Sequence, residues 1–395
     1  MKISKPEILR QENEIVFRVR VESSEGTENL WYSLEKKFSD FVTDFSDAPL
    51  VALLIPAMAK GEDVHVAGTI SERLWYNVSG SYQRLLQHVI PSLRRIRIFP
   101  GDVRARNQQA SGVATGFSCG IDSYCVLADY HYSDVPAGFR VTHLLFNNVG
   151  SHGKGGEKLF RERYARIEPV AERLGLPLIM ANSNVDAFYR KGLDFQQTHT
   201  PRNVSVPLLL QGGIGRYMYA SAYSFKDAFV GTTYDMAYSD TIALPLLSTE
   251  LLNSISVGNE YTRVEKTLRV AEIPDSYGTL DVCVSPKKAG NCSECWKCMR
   301  TLLTLDIAGL IDRYSASFNL DTYKHQWNKY IGSVLRSDDP LLREIVAFAR
   351  DRHYPFPLPS RVYARLQYPA SLAKRLSRLP IQAVRKLKRV LHGND

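Results

Sequence analysis

The most regular pattern in the chain lies near its start. Ile15, Phe17, Val19 and Val21 alternate with Glu14, Arg18, Arg20 and Glu22, the two-residue period of a strand with one buried face. Residues 30–34 and 64–68 read as further short strands. The run 40–59 is apolar enough for a helix crossing this part. Residues 71–90 predict a second helix, with Leu74, Val78, Tyr82, Leu85 and Leu86 on one face. Residues 101–111 are polar and basic, as in a linker. Together these features predict an N-terminal α+β module over residues 1–110, with a packing, substrate-shaping or dimerising role.

Beyond residue 110 the pattern changes. A short strand at 112–117 runs into Tyr124, Val126, Leu127 and Tyr130 at helical spacing. Residues 141–148 predict a buried strand. A mixed-charge helix at 158–174 turns Leu159, Tyr164, Ile167, Val170 and Leu174 inward and closes at Gly175. A strand at 177–181, a helix at 206–223 and a strand at 228–231 follow. Strands alternating with helices predict an α/β fold over 111–282: a doubly wound, Rossmann-like parallel sheet with a ligand cleft at the strands' C-terminal ends. Helices are expected at 299–311, 322–335 and 341–351, giving a helical region over 283–352. The proline-rich stretch 353–359 interrupts helix formation and opens a C-terminal tail, 353–395.

Composition is that of an ordinary globular protein, and 395 residues suffice for more than one domain. The longest apolar run, 49–59, is too short to span a bilayer, and the first residues lack a signal-peptide core. A cytoplasmic location is expected. The net charge of +9 is concentrated in the tail, where Arg361, Arg365, Lys374, Arg375, Arg378, Arg385, Lys386, Lys388 and Arg389 recur among leucines and valines. Such a tail suits an anionic membrane surface or RNA; a solvated tail has the same composition.

The candidate chemistry starts where the strand at 112–117 ends. Ser118-Cys119-Gly120-Ile121-Asp122-Ser123 lies between a strand and a helix start, where backbone N–H groups and the helix dipole favour phosphate. Ser118 and Ser123 offer hydroxyls, Gly120 allows close backbone approach, and Asp122 suits Mg²⁺ beside a phosphate. An ordinary β–turn–α corner with a serine cap would use the same residues. Gly150–Gly156 has a Gly-Lys pair without the Walker A pattern and reads as a flexible loop able to cover the cleft. The glycines at 212, 213 and 215 fall in the predicted helix, where close packing accounts for them.

Ser-Cys-Gly-Ile-Asp-Ser resembles the Ser-Gly-Gly-x-Asp-Ser signature of the PP-loop ATP pyrophosphatases, of the adenine-nucleotide alpha-hydrolase superfamily. The resemblance implies cleavage of ATP between its α- and β-phosphates. Ser118, Gly120, Asp122 and Ser123 would hold pyrophosphate and Mg²⁺. Cys119 departs from the pattern, standing where the first glycine usually is. By the same likeness, Asp235, Ser239 and Asp240, in a polar run after the strand expected at 228–231, are candidate nucleotide or substrate contacts. Turn chemistry would use them equally. Arg263 and Lys266, one turn apart on a predicted helix, could meet the triphosphate or form a solvated face.

Cys283, Cys292, Cys295 and Cys298 make the second signal. Four thiolates at this spacing can close a tetrahedral Zn²⁺ site with no open position, hence a structural zinc knuckle; an Fe–S cluster is the lesser alternative. A PP-loop followed by this cysteine array resembles the 7-cyano-7-deazaguanine synthase family over about residues 111–310. The likeness implies a ligase that adenylates a carboxylate or carbonyl oxygen of a small-molecule or nucleobase substrate for attack by a nitrogen nucleophile. Sulfur transfer to tRNA and a non-catalytic nucleotide-binding regulator are the alternatives. A homodimer through the N-terminal part is a further expectation.

Overall fold

One sheet runs through most of the chain. The computed structural model describes residues 1–153, 156–189, 192–285 and 289–366. In chain order the strands and helices are β1 (Lys2–Ile3), β2 (Glu7–Arg10), β3 (Glu14–Ser23), β4 (Gly26–Glu35), α1 (Asp47–Lys60), β5 (Val64–Ser71), α2 (Glu72–Ser79), α3 (Ser81–Val89) and β6 (Ile98–Arg104). Next come β7 (Gly112–Gly116), α4 (Ile121–Tyr130), β8 (His143–Asn148), α5 (Glu157–Arg173), β9 (Leu178–Ser183), α6 (Phe195–Leu209), β10 (Ile214–Ala220), α7 (Asp240–Leu246), β11 (Asn253–Val257) and α8 (Arg263–Val270). The chain continues through α9 (Trp296–Ile307), α10 (Leu320–Val334), α11 (Pro340–Asp351) and α12 (Leu358–Leu366). No helix among the described residues is long and apolar enough to cross a membrane.

The 11-stranded sheet has the order β11-β10-β7-β8-β9-β4-β3-β1-β5-β6, with β2 beside β3. From β11 to β9 all neighbours are parallel. Numbered by appearance, these five strands stand in the order 5-4-1-2-3, so the winding reverses between β7 and β10. Such a reversal opens a crevice at the strands' C-terminal ends. The expected α/β Rossmann-like parallel sheet is therefore present.

The sheet does not stop at residue 110. Tyr32 and Ser33 of β4 pair antiparallel with Ser183 and Asn182 of β9. The alternation seen in the sequence holds on β3, where Ile15, Phe17, Val19 and Val21 are all buried on one face. Helix α1 is apolar on nearly every side, and its residues Asp47 to Met58 are all buried. It lies between β5 and α6, which explains an apolar run of that length.

Several expected elements move. The helix predicted over 71–90 is two helices broken at Gly80. The helix predicted over 206–223 ends at Leu209, and strand β10 takes 214–220 instead. Gly212 and Gly213 mark that break: a Cβ on Gly213 would lie 2.4 Å from the Phe41 ring. They are a chain reversal against Phe41, not a packing face inside a helix. Residues 228–231 form no strand. The tail expected from residue 353 is helical over α12, and residues 367–395, which carry most of its basic character, lie outside the described residues.

A buried carboxylate joins α1 to the end of β5 and to the turn before β10. Asp47, at the start of α1, accepts from Ser71 N at 2.8 Å, Ser71 Oγ at 2.5 Å and Gln211 Nε2 at 2.8 Å. Burial raises its pKa to about 6, partly offset by those hydrogen bonds. A raised folded-state pKa means the folded chain holds the proton more tightly. The stabilisation is complete below about pH 4 and is lost as pH rises through about 6. Asp47→Asn should therefore flatten the pH dependence of unfolding free energy between about pH 4 and 6, by on the order of 2–3 kcal/mol. Denaturant titrations across that range measure it, and an unchanged slope would refute the assignment.

Candidate functional site

The crevice at the strand reversal is a cavity of about 680 Å³. Its floor is the loop between β7 and α4. Phe117 N donates to Leu145 O at 2.8 Å, anchoring the loop to β8. The backbone N–H groups of Ser118 through Ser123 have no acceptor among the described residues, and Ser118, Gly120, Ile121, Asp122 and Ser123 all line the cavity. This is the anion-receptive start of a ten-residue helix.

The loop's unusual backbone sits at the cysteine. Cys119 has φ 57°, whereas Gly120 has φ −84°. The expected glycine-like freedom is thus required one residue before the glycine. A Cβ at Gly120 would lie 3.3 Å from Ser118 Oγ, so Gly120 serves close approach instead. Ser118 is exposed, while Ser123 is buried with its hydroxyl donating to Gly120 O at 3.0 Å.

Asp122 is met by two cations from α8. Arg263 Nη1 lies 2.7 Å and Lys266 Nζ 3.5 Å from its Oδ1. Burial would raise the Asp122 carboxyl, but the charges of Arg263 and Lys266 outweigh it and hold the pKa below the usual value. The side chain keeps 31% exposure and lines the cavity. Neither cation is on a solvated face. Arg263 lines the cavity; Lys266 is 1% exposed and donates to Ser221 O and Oγ, both at 2.6 Å.

Two further cations come from α9. Lys297 and Arg300 line the cavity, and both lie near the exposed Trp296 ring, at 5.3 and 5.1 Å from its centroid. Arg300 is 5% exposed and its Nε has no hydrogen-bond partner. Burial and then the neighbouring Arg263 push its pKa down to about 10, still charged at neutral pH. Among the described residues, neither Lys297 nor Arg300 has a carboxylate within ion-pair distance. Nothing in their spacing alone marks them; the signal available is their place inside and just after the cysteine array.

That array is compact. The sulfurs of Cys283, Cys292, Cys295 and Cys298 all lie within 4.8 Å of one another. Three separations are 4.0, 4.0 and 3.5 Å. A tetrahedron with Zn–S of about 2.3 Å has edges of about 3.8 Å. Ser285 N and Cys295 N point at the sulfurs of Cys283 and Cys292, at 3.3 and 3.2 Å. The four cysteines can hold a metal such as zinc. Cys295 caps α9, so the array fixes the helix that carries Lys297 and Arg300. Asp281, two residues before Cys283, donates its N–H to Cys119 O at 2.8 Å and joins the array to the loop.

The remaining candidates divide. Asp235 and Asp240 line the far part of the cavity with His199, Tyr219, Asn147 and Asn203, none of which the sequence had marked. Ser239 is fully buried, donates to Met236 O at 2.8 Å and is not part of the lining. From the glycine-rich loop, Ser151, His152 and Gly153 reach the cavity, while Lys154 and Gly155 lie outside the described residues. Comparison with protein families, curated proteins and solved structures returns no match.

Metal content tests the cysteine array. One zinc per chain is expected by elemental analysis of protein purified without chelator. Cys292→Ser should lower both that ratio and the melting temperature, because metal binding free energy is available only to the folded chain. Metal-free protein of undiminished stability would overturn the site.

Proposed function

We propose that this chain is an ATP-dependent adenylating enzyme of the PP-loop type. The supporting observation is the charge balance of the cavity. Arg263, Lys297 and Arg300 line it beside a loop of unpartnered N–H groups, and Lys266 stands behind Asp122. Among the described residues Asp122 is the carboxylate within ion-pair distance of Arg263 and Lys266, while Lys297 and Arg300 have none. Buried charge without a counter-ion is costly, so the cavity favours a polyanion. A triphosphate laid along the loop would satisfy the N–H groups and the two α9 cations together.

In this reading a substrate carboxylate or carbonyl oxygen attacks the α-phosphorus. The bond to the α,β-bridging oxygen breaks, and pyrophosphate leaves with the electron pair. Loop N–H groups, Lys297 and Arg300 stabilise the departing charge from fixed positions. Asp122 would be the loop's carboxylate for Mg²⁺. Its Oδ1 faces Arg263 and Lys266, and Oδ2 has no partner among the described residues. Mg²⁺, usually held by one or two carboxylates and substrate phosphates, would add charge neutralisation there. A nitrogen nucleophile then attacks the activated carbon, and AMP leaves. Four thiolates would leave a bound zinc no open position, so it would serve to hold α9.

Sulfur transfer has less support. Cys119 and Cys125 are buried, and burial pushes both thiols up to about 12, far from the thiolate that a sulfur carrier needs.

Pyrophosphate release from ATP, measured across carboxylates, deazapurines and tRNA with ammonia present, tests the reading. Asp122→Asn should abolish release in a folded protein. Ser118→Ala should cost about tenfold, and Ser123→Ala less, because its hydroxyl already serves Gly120. Arg300→Ala should raise the KM for ATP about tenfold or more. Full activity in Asp122→Asn would sink the proposal.

A further inference from the structure

The far end of the cavity has the opposite sign. Asp240 lines it, is 1% exposed, and accepts from Thr200 Oγ1 at 2.6 Å through Oδ1. Its Oδ2 is buried with no partner. Among the described residues, no cation lies within ion-pair distance of either oxygen. Asn147 Oδ1, on the same lining, is also buried and unpartnered.

A chain of contacts links these two acceptors along the lining. Asn147 Nδ2 approaches Asn203 Oδ1 at 3.5 Å, and Asn203 Nδ2 donates to His199 O at 2.9 Å. His199 lies next to Thr200, which holds Asp240. The His199 ring is fixed between Tyr219 OH at 2.8 Å and Asp235 Oδ1 at 3.2 Å. Asp235 already has a partner in His199; Asp240 has no cation.

A buried carboxylate oxygen and a buried amide oxygen without donors need a ligand rich in N–H. A triphosphate would be repelled from Asp240. The expected role of Asp240 as a nucleotide contact therefore fits its surroundings poorly.

We propose that this part of the lining is a subsite for a primary amine bound as its ammonium form, with Asp240 as counter-ion and Asn147 as second acceptor. An ammonium offers three N–H donors to these oxygens. Burial raises the Asp240 carboxyl to about 6, which leaves it largely ionised at neutral pH. The use of the amine as the nucleophile rests on the adenylation reading and requires the ammonium first to pass one proton to the Asp240 carboxylate, which frees the nitrogen lone pair for attack as AMP leaves; the binding site itself does not rest on that reading. One cavity then holds the phosphate chain at its cationic end and seats the attacking nitrogen at its acidic end.

Calorimetric titration with methylammonium chloride, against sodium chloride at equal ionic strength, tests the site. Acetamide is the uncharged comparison, and α,β-methylene-ATP is titrated separately. Methylammonium should bind saturably, and acetamide about tenfold or more weakly. Asp240→Asn should weaken methylammonium binding about tenfold or more and leave α,β-methylene-ATP affinity unchanged. Asn147→Leu, at a half-buried position, should weaken methylammonium several-fold and serves if Asp240→Asn does not fold. Absent saturation, equal binding of acetamide, or unaltered methylammonium binding in the folded variants would overturn the proposal. Loss of α,β-methylene-ATP affinity in Asp240→Asn would overturn it too, by returning that residue to the nucleotide. Failure of α,β-methylene-ATP to bind the unaltered protein would instead remove the adenylation reading, and methylammonium alone would judge the amine site.

Discussion

The ion pair between Asp122 and Arg263 holds the site together. It joins the first turn of α4 to the first residue of α8, and Arg263 N in turn donates to Glu344 Oε2 on α11 at 2.8 Å. Two cations on one carboxylate leave the group positive even before Lys297 and Arg300 are added. Desolvating such a group is unfavourable unless its charge is answered. The fold answers only part of it, by Asp122. What remains is a standing preference for an anion at the end of β7, where the strand order reverses and the loop N–H groups are free.

The cysteine array acts on the same place by geometry. Four sulfurs within 4.8 Å fix the start of α9. Asn291, just before Cys292, accepts from Val282 N at 2.9 Å and donates to Leu280 O and Ser317 O, so the approach to Cys283 is held as well. From that approach Asp281 reaches Cys119 O. A metal in the array would therefore bear on the β7–α4 loop from one side and on Lys297 and Arg300 from the other.

The sequence made visible what depends on local pattern. The β7–loop–α4 corner, the alternation in β3, the helices after the cysteines and the cysteine array itself all follow from spacing over a few residues. Boundaries inside continuous apolar runs were hidden. Residues 206–220 are buried along most of their length whether helical or extended, so periodicity does not separate α6 from β10; only the glycines mark the turn. The junction of β4 with β9 joins residues some 150 apart in the chain, and no local signal carries it. Arg263 and Lys266 were visible as a pair, yet their burial against Asp122 depends on how α8 packs on α4. Lys297 and Arg300 had only their place in and just after the cysteine array to mark them, and His199 is marked only by the cavity it lines.

Cys119 shows how the loop tolerates a residue that its backbone disfavours. A left-handed conformation costs a non-glycine residue roughly 1–2 kcal/mol. Here the side chain is 2% exposed and packs in the core beside Phe117, Ile121 and Tyr124, while its carbonyl accepts from Asp281 N at 2.8 Å. Burial of a small thiol and one well-made backbone hydrogen bond recover stability of the same order. Glycine would relieve the strain but leave a void under the loop and widen its conformational freedom. The cysteine instead over-determines a strained turn, and strain of this kind persists where the surrounding packing demands one conformation. The loop is thereby held with its N–H groups toward the cavity before any anion arrives.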